Sequence, residues 1–286
     1  MIDSTGPAGL SNSAAFHTTG PGAADIAAAD INSDDLPDLV TVGSTGMTDP
    51  GTVTVLLNRG SQAPPQFAAP QQFASGGVDA GSVAVGDLDG DGRRDVAVGN
   101  LGDGTVTVLR STTNSYETTA TFAAPVTVLS TPADRYPLDV QIADVSGDGK
   151  RDLVVANHVL DSVTVLRNTS TPGVLSFTPA TYPSAGGDPL GRNPTGIAAA
   201  DFDFDGRTDL ALSNFVSDNV SVLMGTGAGA FGAADHQPAG AGPRGLTSTH
   251  LDDNVKADLV VADFGRYPDM GGHGEEPGSI GVLLAR

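Results

Sequence analysis

The stretch Asp201-Phe202-Asp203-Phe204-Asp205-Gly206-Arg207-Thr208-Asp209 puts carboxylates at its first, third, fifth and ninth positions and a glycine at its sixth. Alternating residues of a tight loop aim their oxygens at one centre. That is the cage a hard cation needs, and Ca²⁺ takes 6–8 oxygens at about 2.3–2.6 Å. Three near-copies precede it: Asp87, Asp89, Asp91, Gly92, Asp95; then Asp144, Ser146, Asp148, Gly149, Asp152; and Asp30, Asn32, Asp34, Asp38, with Asp35 in the glycine place. The backbone carbonyl of the seventh residue (Leu36, Arg93, Lys150 or Arg207) is an expected further ligand. Carboxylate and carbonyl oxygens select Ca²⁺, Mg²⁺ or Mn²⁺ over zinc or copper. An EF-hand is excluded, because position 12 is Thr41, Val98, Val155 or Leu212 and not the bidentate glutamate that motif requires.

One such loop could be an acidic surface turn, but the spacing argues otherwise. The loops start at Asp30, Asp87, Asp144 and Asp201, each 57 residues after the last (87−30, 144−87, 201−144). A fixed period in this range marks a propeller, solenoid or array. A fifth, eroded copy runs from His250 through Asp252 and Asn254 to Asp258; it lacks the first carboxylate and the glycine, which makes a fifth cation doubtful.

Each repeat carries four short strand signals. A small-residue run precedes the loop (Ile26–Ala29, Val83–Gly86, Ile197–Ala200), and a Leu/Val/Ala run follows it (39–42, 96–98, 153–155, 210–212). After a Gly/Asn turn come Val53–Leu56, Val106–Leu109, Val163–Leu166 and Val220–Leu223, alternating with period 2 as half-buried strands do. A fourth strand is expected near Phe67, Phe122, Phe177 and Phe231. No segment sustains a 3.6-residue period, so the chain reads as all-β. Four antiparallel strands per repeat make a β-propeller blade, with the Ala/Gly-rich strand innermost. Leu10 and Phe16 lie 57 before Phe67 and Phe73, and Ile280–Leu284 is a third strand without its fourth. Residues 10–19 are therefore expected to complete the last blade and close a five-bladed ring within one domain, 1–286. The alternative is a segment of a longer, seven-bladed array.

A net charge of −20 makes the chain a poor nucleic-acid ligand, since that affinity rests on Lys and Arg, and no polybasic stretch offers itself to an anionic membrane. With no cysteine there is no disulfide framework; the cation sites are expected to staple the fold instead. No window approaches 18 apolar residues, and residues 1–20 carry neither the basic nor the apolar region of a signal peptide. An extracellular or cell-surface location is thus an expectation from calcium chemistry, because millimolar Ca²⁺ serves weak extracellular sites.

The run from Asp201 to Phe231, with its preceding copies, resembles the bacterial form of the FG-GAP (VCBS-type) repeat, the family that includes the integrin α-subunit propeller. The resemblance covers nearly the whole chain and implies metal ligands at positions 1, 3, 5 and 9 of each loop. It leaves function open among adhesion, glycan binding and partnership with catalytic domains.

Within a blade, the connection between strands two and three lies on the face opposite the acidic loops. That connection is longest in the last repeat, 22 residues from Asp258 to Ile280, through Asp263–Gly278. Long loops on a rigid scaffold carry function. The same face should receive Arg135, Tyr136, Tyr182, Arg192, Arg244, Arg266 and Tyr267, with forks and rings suited to carboxylated sugars or acidic peptides; the rival reading is that they bridge blades. Catalysis has little support. No nucleophile elbow, zinc pair or phosphate loop occurs. His158 and His236 have no fixed partners, His273 with Glu275 and Glu276 sits in a Gly-rich loop, and Asp25, Asp79, Asp139 and Asp188 are isolated carboxylates. The expected function is a non-catalytic adhesion or recognition module holding about four Ca²⁺, with a glycan or protein ligand. A polysaccharide-active enzyme or a purely structural repeat module are the alternatives.

Overall fold

The structure is a computed structural model of the 286-residue chain and describes residues 19–20, 22–60, 66–130, 136–184, 191–252, 256–265 and 278–284. They build five antiparallel sheets, one after another. The first holds β1 (Ala23–Ala29), β2 (Asp38–Gly43), β3 (Pro50–Leu56) and β4 (Gln71–Val78); the second holds β5 (Ala80–Gly86), β6 (Asp95–Asn100), β7 (Thr105–Leu109) and β8 (Val126–Ser130). In the third are β9 (Pro137–Ala143), β10 (Asp152–Asn157), β11 (Ser162–Asn168) and β12 (Phe177–Pro183). The fourth has β13 (Pro194–Ala200), β14 (Asp209–Asn214) and β15 (Asn219–Leu223). A small hairpin of β16 (Gly225–Gly227) and β17 (Ala230–Phe231) then leads to its outer strand, β18 (Asp235–Pro238). The fifth has three described strands, β19 (Pro243–Thr249), β20 (Asp258–Asp263) and β21 (Ser279–Leu283). Neighbours in sequence are neighbours in each sheet, and the arrangement is propeller-like. No helix among the described residues is long and apolar enough to cross a membrane.

The core is a layer repeated between each sheet and the next. Val53 and Val55 of β3 meet Val83, Val96 and Val98 of the second sheet, and Val106 and Val108 of β7 meet Val140, Leu153 and Val155 of the third. Val163 and Val165 of β11 then meet Ile197, Leu210 and Leu212, and Val220 and Val222 of β15 meet Leu259 and Val261. The period-2 valines thus bury the forward face of every third strand, at about 1.5–3 kcal/mol for each fully buried side chain. The small first strands pack in succession, β1 on β5, β5 on β9, β9 on β13 and β13 on β19. Their alanines and glycines leave room for that approach.

The fourth strands differ from expectation. Phe67 and Phe122 do not begin them; they form single bridges to Asn58 and Ser111, extending the third strands before the chain turns into β4 and β8. Phe231 lies in the hairpin ahead of β18, and only Phe177 opens its strand. In β21, Ile280 and Val282 take the places that Val220 and Val222 hold in β15, by their pairing with Ala262 and Val260, yet they are 76% and 50% exposed. Among the described residues no strand pairs with the outer edge of β21; the expected partner, residues 10–19, lies outside them.

Candidate functional site

Each acidic loop joins the first strand of a sheet to the second, and the four intact copies share one hydrogen-bond plan. The sixth residue's amide donates to Oδ2 of the first aspartate: Asp35 to Asp30 at 2.9 Å, Gly92 to Asp87 at 2.9 Å, Gly149 to Asp144 at 2.8 Å and Gly206 to Asp201 at 2.8 Å. That geometry needs a left-handed residue, which glycine adopts without strain. Asp35 adopts it as well, at φ 67°, so the missing glycine does not change the loop. The fourth position is left-handed too, in Ser33, Gly90, Gly147 and Phe204. The seventh amide donates to Oδ1 of the fifth residue in every copy, from Leu36, Arg93, Lys150 and Arg207, at 2.9–3.0 Å.

The ninth aspartate is a clasp, a role the sequence reading did not foresee. Asp38, Asp95, Asp152, Asp209 and Asp258 are fully buried. Oδ2 of Asp95 accepts from Leu88 N at 3.0 Å and Oδ1 from Ser111 N at 2.8 Å, tying the loop to the exit of the third strand. Asp38 does the same with Ile31 and Asn58, and Asp209 with Phe202 and Gly225. Asp152 holds three amides, those of Val145, Ser146 and Asn168. In the eroded fifth copy Leu251 N still donates to Asp258 at 2.8 Å, while His250 and Asp252 are exposed and Asn254 lies outside the described residues. There one arm of the clasp persists although the first carboxylate and the glycine are missing from the sequence.

The cage itself converges in two loops. Asp87, Asp89 and Asp95 bring carboxylate oxygens within 4.8 Å of one another, and so do Asp201, Asp203 and Asp209. The other two loops have Asn32 or Ser146 at the third position. Asn32 is buried, and its Nδ2 donates to Asp34 and to Glu117 O, but its Oδ1 has no donor at all. An orphaned acceptor beside Asp30 and Asp34 is what a cation would satisfy. Burial pushes the Asp95 carboxyl up to about 6, with Asp89 and Asp91 adding to it against two amide hydrogen bonds. Burial likewise raises Asp38, Asp152 and Asp209. Arg93 and Arg207 turn their side chains to Asp91 and Asp205 of their own loops, and their Nε atoms donate to Ser111 O and Gly225 O; Lys150 Nζ donates to Ser170 O. The acidic cage residues therefore fit a divalent cation, which would replace repulsion between neighbouring carboxylates by shared ligation.

At the opposite ends of the strands lies a cavity of about 500 Å³. Met47 from the first sheet reaches it, as do Tyr136, Leu138 and His158 from the third, Thr195 and Phe215 from the fourth and Arg244 from the fifth. Of the residues expected on this face, Tyr136 and Arg244 are brought together here. Arg192 is on the exposed surface and its amide donates to Ser217 Oγ. Tyr182 is not a surface ligand group: it packs edge-on to Phe231 at 5.4 Å in the layer between sheets, and its hydroxyl donates to Gly229 O. Arg135, Arg266 and Tyr267 lie outside the described residues, as do Asp188, His273, Glu275 and Glu276. The sequence reading missed Phe215 and His158, although a signal existed. His158, Phe215 and Phe264 each fall 14 residues after the start of their loop, while Leu138, Thr195 and Arg244 each fall six before it.

A larger cavity, about 680 Å³, lies between the fourth and fifth sheets against Val222, Leu259 and Val282. It follows the uncovered side of β21; Phe202, Val222 and Leu259 of the inter-sheet core wall part of it, and Asp203, Asp235, Gln237 and Lys256 also line it.

Two of the isolated carboxylates turn out to join sheets. Asp25 Oδ2 accepts from Val83 N at 2.9 Å, Ser82 Oγ from Val140 N at 3.1 Å and Asp139 Oδ2 from Ile197 N at 2.8 Å. These positions are 57 apart, and each staples its sheet to the next. Asp79 accepts from Ser44 Oγ. Burial raises the Asp139 carboxyl to about 6, opposed by the Ile197 amide and reinforced by Asp25. Its folded pKa lies above the ordinary 3.8, so the fold binds this proton more tightly than the unfolded chain does. Its contribution to stability therefore grows as pH falls from about 6 toward 4, by on the order of 2–3 kcal/mol. Urea melts in EDTA at pH 7 and 4.5 should show wild type gaining on Asp139→Asn as the pH drops; a pH-independent gap would refute the shift.

A family model for the FG-GAP-like repeat matches residues 30–98, 87–155 and 144–212. No curated protein matches the chain. Among solved structures it is similar to a functionally unknown protein from Desulfotomaculum acetoxidans, at 15% identity and TM-score 0.55, over 93% of this chain and 73% of that one. An Agrocybe aegerita lectin that recognises non-reducing terminal N-acetylglucosamine aligns at 18% identity and TM-score 0.49, over 91% of this chain and 65% of the lectin. At these identities the likeness concerns the fold. The three overlapping matches to the repeat run without a gap from 30 to 212, more than half of the 286 residues, and the chain belongs to the FG-GAP-like repeat family.

Proposed function

We propose that this chain is an extracellular, calcium-stabilised recognition module that takes a glycan or protein ligand in the cavity at the strand ends opposite the acidic loops. The observation that carries the reading is that cavity itself. It is concave and mostly apolar, it draws side chains from four of five sheets, and it holds a few convergent polar groups, the usual make-up of a ligand site. The opposite face supplies the support: Ca²⁺ would be held by Asp30, Asn32, Asp34 and Asp38, by Asp87, Asp89, Asp91 and Asp95, by Asp144, Ser146, Asp148 and Asp152, and by Asp201, Asp203, Asp205 and Asp209. The carbonyls of Leu36, Arg93, Lys150 and Arg207 would complete the sets.

A glycan array run with millimolar Ca²⁺ and again in EDTA tests this. Calcium-dependent hits on a related set of sugars are expected, and they should vanish in Tyr136→Ala. Hits that persist in EDTA and in Tyr136→Ala would place the site elsewhere. A blank array would leave a protein partner or a purely structural role, and the enzymatic alternative would need reducing-sugar release from a polysaccharide panel.

The reading includes five blades, with residues 10–19, in which Phe16 stands 57 residues before Phe73, as the outer strand on β21. Phe16→Ala should then cost about 3–5 kcal/mol, as a core phenylalanine does. A melting temperature unchanged by that substitution would favour a segment of a longer array.

A further inference from the structure

We propose that the cavity anchors its ligand by a carboxylate, with Arg244 as the specificity-determining residue, and that the ligand is a glycan ending in a uronic-acid residue. This rests on the reading of the cavity as the ligand site.

Arg244 stands at the start of β19 with its guanidinium carbon 5.0 Å from the centre of the Phe215 ring and 4.7 Å from that of Phe264. Stacking occupies the faces of a guanidinium and leaves its N–H groups, which lie in its plane, free to donate. No carboxylate among the described residues pairs with Arg244, in a chain of net charge −20 where Arg93 and Arg207 each pair with a carboxylate of their own loop. A guanidinium held by two rings and lacking an anion is preorganised for a bidentate carboxylate.

The rest of the cavity limits what that carboxylate can belong to. His158 adds no second charge. Its Nδ1 faces Pro194 O at 3.2 Å and its Nε2 faces the Asn193 side-chain amide at 3.1 Å, which is the pattern of a neutral ring with the proton on Nδ1. Burial, with Arg244 nearby, moves its pKa down, in keeping with that tautomer. Thr195 Oγ1 already donates within the fold, toward Pro243 O at 2.9 Å. The cavity therefore offers one cation, the Tyr136 ring with its hydroxyl, and apolar walls from Leu138, Phe215 and Met47. A polyanion would find a single positive partner in a strongly negative chain. A uronic acid supplies one carboxylate and a C–H face for the rings, and about 500 Å³ is the scale of a site for one or two sugar rings.

The test is calorimetry on the full chain in millimolar Ca²⁺. The probes are glucuronate- and galacturonate-terminated oligosaccharides, the same compounds after carboxyl reduction, and their neutral hexose counterparts. We expect the acidic probes to bind, and carboxyl reduction to weaken binding roughly 10–100-fold, the worth of a charge-assisted pair. Arg244→Gln should reproduce that loss and abolish the preference for acidic over neutral sugars. The reduction arm uses the unaltered protein, so it stands even if the variant folds poorly. Neutral sugars binding as tightly as acidic ones would overturn the carboxylate inference while leaving the recognition reading intact. So would acidic binding that is indifferent to Arg244→Gln in a variant with an unchanged melt. Absence of binding to every acidic probe would overturn the uronic-acid inference, and a blank array beside it would leave the recognition reading only its protein ligand.

Discussion

Excess EDTA is expected to lower the melting temperature of this chain by on the order of 10–20 °C relative to millimolar Ca²⁺. A ligand bound only by the folded state stabilises it by RT ln(1 + [L]/Kd), about 1.4 kcal/mol for each site at a tenfold excess. Several loops of matching hydrogen-bond plan would add their contributions, and each kcal/mol is worth roughly 2–4 °C in a chain of a couple of hundred residues. The electrostatics give the reason. Without a cation, Asp89 lies buried near Asp87, Asp91 and Asp95, and the countercharge it meets is Arg110 at 3.7 Å. Calorimetric melts in Ca²⁺, in Mg²⁺ and in EDTA measure the effect, and coincident melts in all three would remove calcium from the account of this fold.

Asp152→Ala should destabilise the chain by about 3–6 kcal/mol, and it should do so in EDTA as well as in Ca²⁺. The substitution strands the buried amides of Val145 and Asn168, each costing about 1–3 kcal/mol when left unpaired, and the half-buried amide of Ser146, which costs less. Asp148→Ala is the contrast. Asp148 lies on the exposed side of the same loop and holds the amide of Lys150, so its loss should matter chiefly when calcium is present. Denaturant melts of both variants with and without the ion separate the clasp from the cage. If Asp152→Ala is as mild as Asp148→Ala in EDTA, the clasp contributes nothing of its own.

Much of this was legible in the sequence because the repeat prints the same physics several times. The 57-residue step, the small first strands and the alternating valines of β3, β7, β11 and β15 require only local patterning, and those elements lie where the sequence places them. The fourth strands were less legible. Phe67 and Phe122 look like strand residues but pack at bridges, because an outer strand is defined by what it covers more than by its own alternation. The first, third, fifth and ninth loop positions could be read as candidate cation ligands from spacing alone. The clasping role of the ninth could not, because its partners at Ser111, Asn168 and Gly225 are 16 residues downstream. Tyr182 was misassigned for a related reason: a tyrosine near a strand end can turn its ring into the layer between sheets, and here Phe231 receives it. The aromatic clamp on Arg244 joins residues of the fourth and fifth sheets, a meeting that no spacing within one repeat reveals.

The clasps and the staples also differ in how far along the chain they reach. A clasp closes over 7 residues on one side and 16 on the other in three of the sheets, whereas a staple such as Asp25 to Val83 spans 58. Short closures cost less chain entropy than long ones. Each sheet can therefore assemble around its own aspartate before it joins its neighbour. A nascent chain would then acquire its blades one at a time in the order they are synthesised, with the inter-sheet valine layers locking each new blade onto the last.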